Sequence, residues 1–341
     1  MTKPSRKQTF DLIAIGESLR DVFYMIKEDG ESCLLDKERN LLCFEYAEKI
    51  AVAKVVKVPA AGNASNAAVG ASRLGLKSAL VSWIGEDVAG ELSREALVKD
   101  RVDSRYLQTD PAHPTSEATI LGYSGERTQF VYFQPRKYRL PKLANARCIY
   151  YTAMGKNYAS FNKMLLKHLK AHTNTFFAFQ PGTTHVLGGL KPISGLIAHS
   201  DLFILNKDEA HHLLPNGDRT TLNMLERFLH LGAKIVVITD GKNGAESYNG
   251  THHCHMPVFP VNPLEKTGAG DSFAIGMTAA ILLGKPMDEA LRWGTTNSWS
   301  VIQHYGPQKG LLTTSEIRKV LKKFPRIKPK IVKHAPAIVG V

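Results

Sequence analysis

No stretch of eighteen consecutive apolar residues occurs in the 341-residue chain, so it offers no transmembrane helix and no membrane partner is expected. Nor does MTKPSRKQTF lead into a long apolar run with a small-residue cleavage site, as a secretory leader would. Cysteine is scarce. Cys33, Cys43, Cys148 and Cys254 show no CxxC spacing, which excludes the usual zinc and thiol-redox frameworks and points to free thiols in a reducing cytoplasm. The histidine-rich THHCH at 251–255 reads as a strand with side chains alternating between two faces, not as a zinc site. Two phosphate-loop patterns are missing as well. No G-x-G-x-x-G follows the first strand-like run, which argues against a dinucleotide-dependent dehydrogenase, and no Gly-Lys-Ser/Thr forms a Walker A loop. Low-complexity tracts, internal repeats and long linkers are absent, so one folded domain over 1–341 is expected.

Acidic residues are absent from 317–341, where eight lysines and arginines stand, and from the first ten residues, which hold Lys3, Arg6 and Lys7. These eleven account for most of the net charge of +13, so the body is close to neutral. The basic C-terminal tail, 324–341, could bind a polyanion weakly; a solvated end is the simpler reading. Phe324 alone supplies aromatic character there, too little for a surface that stacks bases.

What the chain does have is a hydrophobic fraction of 43% and a regular alternation. Short β-rich runs recur at 11–16, 79–85, 148–153, 175–180, 201–206 and 234–240. Helix-period stretches fall between several of them, at 66–75, 161–172 and 222–232. In the second, Phe161, Met164, Leu165 and Leu169 share one side. Alternation of this kind predicts parallel strands joined by helices that cover both faces. Two regions break it, about 22–58 and 117–134, and read as extra strands forming a small β-lid outside the main sheet. From about 266 the chain becomes mostly helical, and TTSE at 313–316 resembles a capping box that starts a final helix.

The stretch KTGAGDSFAIGMTAAILLGK, 266–285, carries the chemistry. Gly268, Ala269 and Gly270 leave backbone N–H groups uncovered at a helix start, where those donors and the helix dipole can cradle an anion. Asp271 would repel a phosphate that was merely bound. It fits if its task is to take the proton from a hydroxyl attacking that phosphate. The competing local reading is a turn followed by a capping acid, and the motif alone leaves both open.

Five landmarks in order resemble the ribokinase-like (PfkB) carbohydrate kinase family. EKTGAGDSF resembles its D-T-x-G-A-G-D signature, AGNASNAAVGASRLG at 61–75 its N-terminal glycine-asparagine signature, and GEDVAG at 85–90 the G-x-D-x-x-G that follows. NKDEA at 206–210 is similar to the N-x-x-E motif, and VVITDGKNGA at 236–245 to the T-x-G-x-x-G nucleotide loop. The resemblance implies an α/β, ribokinase-like, three-layer αβα fold with a mostly parallel central sheet and a small β-lid. It implies that Asp271 is the general base and that Gly268, Ala269 and Gly270 form the anion hole. Glu17 and Asp21 lie in GESLRD, which resembles the family's G-E-x-x-x-D, and the matching aspartate binds acceptor hydroxyls. Gly62 and Asn66 match the acceptor pocket, with Asn63 beside them. Asn206 and Glu209 match the residues that position Mg²⁺ and phosphate through water. Thr239, Gly241 and Gly244 match the loop under the nucleotide, and Asn297 would lie near the adenine.

The implied function is an ATP- and Mg²⁺-dependent phosphotransferase acting on a sugar hydroxyl, fructokinase-, ribokinase- or ketodeoxygluconate kinase-like. A nucleoside kinase of the same family and a non-catalytic regulatory or binding member of the fold are the alternatives. A phosphorylated acceptor would call for extra cations, for which Arg127, Arg136 and Lys137 are candidates. Two departures bear on cofactors and acceptor. Glu265-Lys266 replaces the usual Asp-Thr of a segment that holds K⁺ in many members, which argues against that cation here. The 22–58 region carries a longer insertion than short members have. Lids of this family can pair between subunits, so a homodimer through the lid is an expectation.

Overall fold

The computed structural model describes residues 10–27, 33–36, 38–39 and 41–333; Lys3, Arg6, Lys7 and the tail beyond 333 lie outside the described residues. Strands Leu107–Asp110, Ser78–Gly85, Phe10–Ile15, Ala146–Tyr151, Phe176–Phe179, Leu202–Asn206 and Val236–Thr239 lie side by side in that order, all parallel. Antiparallel strands Ala245–Tyr248, His252–Met256 and Lys330–Lys333 extend the last edge. Side chains alternate faces along each strand. Leu12, Leu80, Tyr150 and Ile204 therefore pack into one apolar layer with helices Asn63–Arg73, Ala269–Leu282 and Met287–Val301. Ile13, Val81, Tyr151 and Phe203 pack into the other with helices Tyr158–Ala171 and Thr221–His230. Burial on both faces explains why these strands read as continuous apolar runs.

The chain builds outward from Phe10–Ile15 to Ser78–Gly85 on one side, then returns to place Ala146–Tyr151 on the other. That reversal opens a crevice at the carboxyl ends of the strands, where open α/β sheets bind ligands.

A second, four-stranded sheet runs Val52–Ala61, Leu19–Ile26, Glu117–Tyr123, Glu126–Tyr132. It has its own small core of Leu19, Phe23, Ala61, Ala118 and Ile120. Ser124 and Gly125, both at positive φ, make the tight turn of its outer hairpin. A separate hairpin pairs Cys33–Asp36 with Leu41–Phe44.

Thr313 and Glu316 form the expected capping box of helix Thr314–Lys323. Two expectations are corrected. Met164 is 37% exposed, because Tyr158 instead joins Phe161, Leu165 and Leu169 on the buried side of its helix. The described part of the basic tail is no free end. Phe324 stacks on Phe259 at 4.8 Å, and Lys330–Lys333 is the edge strand of the main sheet. Deleting 324–341 would remove that strand, so charge reversal of the tail lysines is the cleaner test of polyanion binding.

Candidate active site

Helix Ala269–Leu282 is buried on nearly every side, as its all-round apolar sequence requires. Its N-cap, Gly268, sits in the left-handed region at φ 78°, and a Cβ there would lie 2.4 Å from Cβ of Pro307. Only glycine makes this turn without strain. The Ala269 N–H is taken up by the Lys266 carbonyl at 3.2 Å. The N–H groups of Gly270 and Asp271 have no such partner among the described residues, so they are the free donors of the cradle.

Asp271 is buried behind that turn, and three side-chain amides point at its carboxylate. Asn63 donates to Oδ1 at 2.8 Å, Asn66 to Oδ2 at 2.8 Å, and Gln180 to Oδ1 at 3.3 Å. Helix Asn63–Arg73 brings the two asparagines there. It begins at Asn63, so Asn66 stands one turn in and is no N-cap. The helix approaches Ala269–Leu282 closely because Gly70 has no side chain; a Cβ there would lie 2.7 Å from Cγ2 of Ile275.

The amide orientations are determined by their far ends. Gln308 Nε2 donates to the Ala60 carbonyl at 2.6 Å and to Asn66 Oδ1 at 3.0 Å, which leaves Asn66 Nδ2 for Asp271. The Tyr150 hydroxyl donates to Gln180 Oε1, which leaves Gln180 Nε2 for Asp271. Burial pushes the Asp271 pKa up, the amides pull against it, and the net direction is up. A carboxylate has about four acceptor sites, so Oδ2, with one donor, keeps a lone pair for an incoming proton. Asn63→Ala removes a donor to the charged form. The pKa then rises further, and the acid limb of kcat is expected to move up by about one pH unit. A pH–rate profile with an unmoved acid limb would contradict this.

Across the cleft from Asp271, strand Leu19–Ile26 presents Asp21, 5% exposed. Its pKa is pushed up to about 8, first by burial, then by the charges of Asp271 and Glu265. An acid raised this far above its usual 3.8 lowers stability progressively as pH rises from about 4 to 8, because the folded state resists ionisation. Asp21→Asn is therefore expected to raise Tm by roughly 2–6 °C at pH 8, with the gain vanishing near pH 4, while acceptor KM rises. A Tm gain independent of pH would sink the explanation.

Glu17 does not line the cleft. It lies buried beneath it, accepting a hydrogen bond from the Tyr138 hydroxyl, with its pKa pushed up to about 7 by burial. Of the candidate cations, Arg136 is buried against Asp110 at 3.0 Å and the Pro114 carbonyl at 2.6 Å, and Lys137 is exposed away from the cleft. Arg127 does line it.

Asn206 and Thr239 pair at the ends of neighbouring strands, and both line the cleft with Glu209. Asn206 caps the following helix: its Oδ1 accepts from Glu209 N, and its own N–H donates to Glu209 Oε2, each at 2.8 Å. Glu209 Oε1 remains for a water or ion, and burial pushes the Glu209 pKa up to about 7. One carboxylate oxygen and waters suit Mg²⁺, which dehydrates reluctantly. Gly241 and Gly244 lie in the turn after Val236–Thr239 and do not line this cleft. Asn297 requires correction: it is buried in the core, donating to the Ser272 carbonyl at 2.8 Å and accepting from Leu312 N at 3.0 Å. At 0% exposure, an amide that ties two helices and a loop together is out of reach of an adenine.

Glu265 Oε1 accepts from Thr267 N at 2.6 Å while its Oε2 is buried with no hydrogen-bond partner among the described residues, and Lys266 pairs with Glu126 on the small sheet. Asp21, Asn63, Asn66, Gly62, Gln180, Asn206, Glu209 and the 268–271 turn thus meet in one cleft of about 490 Å³. Sequence reasoning missed Gln180, Gln308 and Tyr150. FQPGT at 179–183 was the only local hint, and it marks a loop rather than a role.

The sequence profile described as "pfkB family carbohydrate kinase" matches residues 32–314. An ATP-dependent 6-phosphofructokinase of Thermoanaerobacterium thermosaccharolyticum is 25% identical, over 72% of this chain and 79% of that protein. A 5-dehydro-2-deoxygluconokinase of Bacillus subtilis is 23% identical over 93% and 98%. Among solved structures, Arabidopsis thaliana ribokinase complexed with ribose and ATP superposes with a TM-score of 0.75 at 20% identity, over 92% of this chain and 99% of that one. A Methanocaldococcus jannaschii nucleoside kinase gives 0.72 at 20%, over 92% and 98%. The fold is ribokinase-like.

Proposed function

We infer, for a chain that belongs to the pfkB family of carbohydrate kinases, that this enzyme transfers the γ-phosphate of ATP to a hydroxyl of a sugar. One observation carries the reading. A buried carboxylate, Asp271, stands at a helix N-terminus with free backbone donors and faces a second buried carboxylate, Asp21, across one cleft. Asp21 and Asn66 hold acceptor hydroxyls, each able to engage neighbouring OH groups. Oδ2 of Asp271 takes the proton as the acceptor oxygen attacks the γ-phosphorus in line. The N–H groups of Gly270 and Asp271 stabilise the charge on the transferring group. Asn206 and Glu209 would hold magnesium through water, the ion supplying countercharge to the phosphates when bound. The small sheet acts as a lid that excludes water and suppresses ATP hydrolysis. The four free cysteines suit a reducing, cytoplasmic setting.

The test is a coupled ADP-release screen over hexoses, pentoses, sugar acids, sugar phosphates and nucleosides. ADP release with a sugar supports the reading. Preference for a nucleoside moves the enzyme to that class, and no turnover with any acceptor favours a non-catalytic member of the fold.

A further inference from the structure

The kinase reading leaves Arg127 without a task, and it is one of two cations lining the cleft, the other being Lys266. We propose that Arg127 is a catalytic ligand of the transferring phosphoryl group, presented to the anion-binding turn by the small sheet. The assignment rests on the kinase reading and adds a residue to it.

Strand register places the side chain. On the cleft-facing side of Glu126–Tyr132 stand Arg127, Gln129 and Val131. Val131 pairs with Ala118, and Ala118 with Asp21, so the acceptor carboxylate lies in the Val131 row. Arg127 is four residues further towards the hairpin tip, a rise of about 13 Å along the strand. At that end the strand meets the segment leading into Gly268. Arg127 Nε is 3.8 Å from Glu265 Oε1, Gln129 Nε2 is 3.4 Å from Thr267 Oγ1, and Glu126 pairs with Lys266. Arg127 therefore belongs to the phosphate end of the cleft, whereas Asp21 holds the acceptor end.

Its chemistry is unspent. Among the described residues the guanidinium makes no hydrogen bond, and its one ion pair is with Glu265 Oε1 at 3.8 Å, an oxygen that also accepts from Thr267 N at 2.6 Å. An ion pair at 3.8 Å with no hydrogen bond is a loose hold, and a phosphoryl group offers the planar fork a better match. Lys266, by contrast, is held by Glu126. The other ionisable groups facing the cleft are Asp21, Glu209 and Asp271, all acidic. A triphosphate entering a cleft lined by three acidic side chains is favoured by a countercharge from the protein. Arg127 also opposes the rise in the Asp271 pKa, in keeping with a guanidinium close to the reacting carboxylate.

The two nucleotides separate this role from others, because only ATP carries the γ-phosphate. Calorimetric affinities for Mg-ATP and Mg-ADP are measured for the parent, Arg127→Gln and Arg127→Lys, with kcat and acceptor KM for the acceptor that the ADP-release screen selects. Arg127→Gln is expected to weaken Mg-ATP about 10-fold or more, leave Mg-ADP within about 2-fold, and lower kcat about 10²–10³-fold. Arg127→Lys recovers part of the kcat. Equal effects on both nucleotides, or an unchanged kcat, overturn the proposal. So does a rise confined to acceptor KM, which would make Arg127 a ligand for an anionic acceptor. A parent that binds neither nucleotide overturns the kinase reading itself, and this assignment with it.

Discussion

Asp271→Asn loses about 10²–10⁴-fold in kcat while binding Mg-ATP as the parent does. The substitution keeps the shape of the side chain and removes its basicity. It also turns one carboxylate oxygen into an amide donor, which must then face an acceptor. Asn66 cannot turn to offer one, because Gln308 holds its Oδ1 at 3.0 Å. Asn63, only half-buried, can present its carbonyl instead. Gln180 Nε2, fixed by Tyr150 and 3.3 Å from the same Oδ1 that Asn63 faces, then meets the new amide and loses its bond, and removal of a buried charge with a raised pKa offsets that loss. Tm is expected to stay within a few degrees of the parent. Steady-state turnover and nucleotide calorimetry check both halves, and turnover within tenfold of the parent would remove Asp271 from the role of base.

The second large effect is at the turn. Gly268→Ala puts a side chain into a left-handed position and into Pro307, whose Cβ and Cα would lie 2.4 and 2.7 Å away. Left-handed strain and overpacking together cost about 2–4 kcal/mol. The shift that relieves them moves the donors of Gly270 and Asp271, so kcat falls by about 10²–10³-fold as Tm falls. Gly270→Ala is the control. A Cβ there meets only Gln180 Nε2, at 3.7 Å, so the variant should fold as the parent does. Its methyl group still crowds the face where the phosphate docks, and turnover should drop without a change in Tm. If Gly268→Ala kept both Tm and turnover, the turn would not have the geometry described.

The main sheet was legible because its strands are buried on both faces. Runs such as LIAI at 12–15 and LFIL at 202–205 have no polar side to conceal them. The 268–271 turn was legible because small residues before an acid and an apolar helix are chemically unusual. The bonds that hold Asp271 were not, although Asn63 and Asn66 were read as acceptor-pocket residues. Gln180 lies 91 residues away from it, Asn66 205 and Asn63 208, and an amide in a loop carries no periodic signature. Gln308 acts through Asn66 across 242 residues and is still harder to see. Asn297 misled because a polar residue in a late helix reads as a ligand when the backbone groups it satisfies are not yet in view. The tail misled for the opposite reason: its strand is the short apolar pair Ile331-Val332 between Lys330 and Lys333, and the surrounding charge overshadowed it.

The most direct measurement is a crystal structure of Asp271→Asn with Mg-ATP and the acceptor selected by turnover, in which slow chemistry traps the reactants. The account expects the γ-phosphate against the N–H groups of residues 270 and 271. It expects an acceptor hydroxyl about 3–3.5 Å from the γ-phosphorus, in line with the leaving oxygen and hydrogen-bonded to the residue 271 side chain. A γ-phosphate bound away from that turn, or an acceptor oxygen nearer another base, would contradict it.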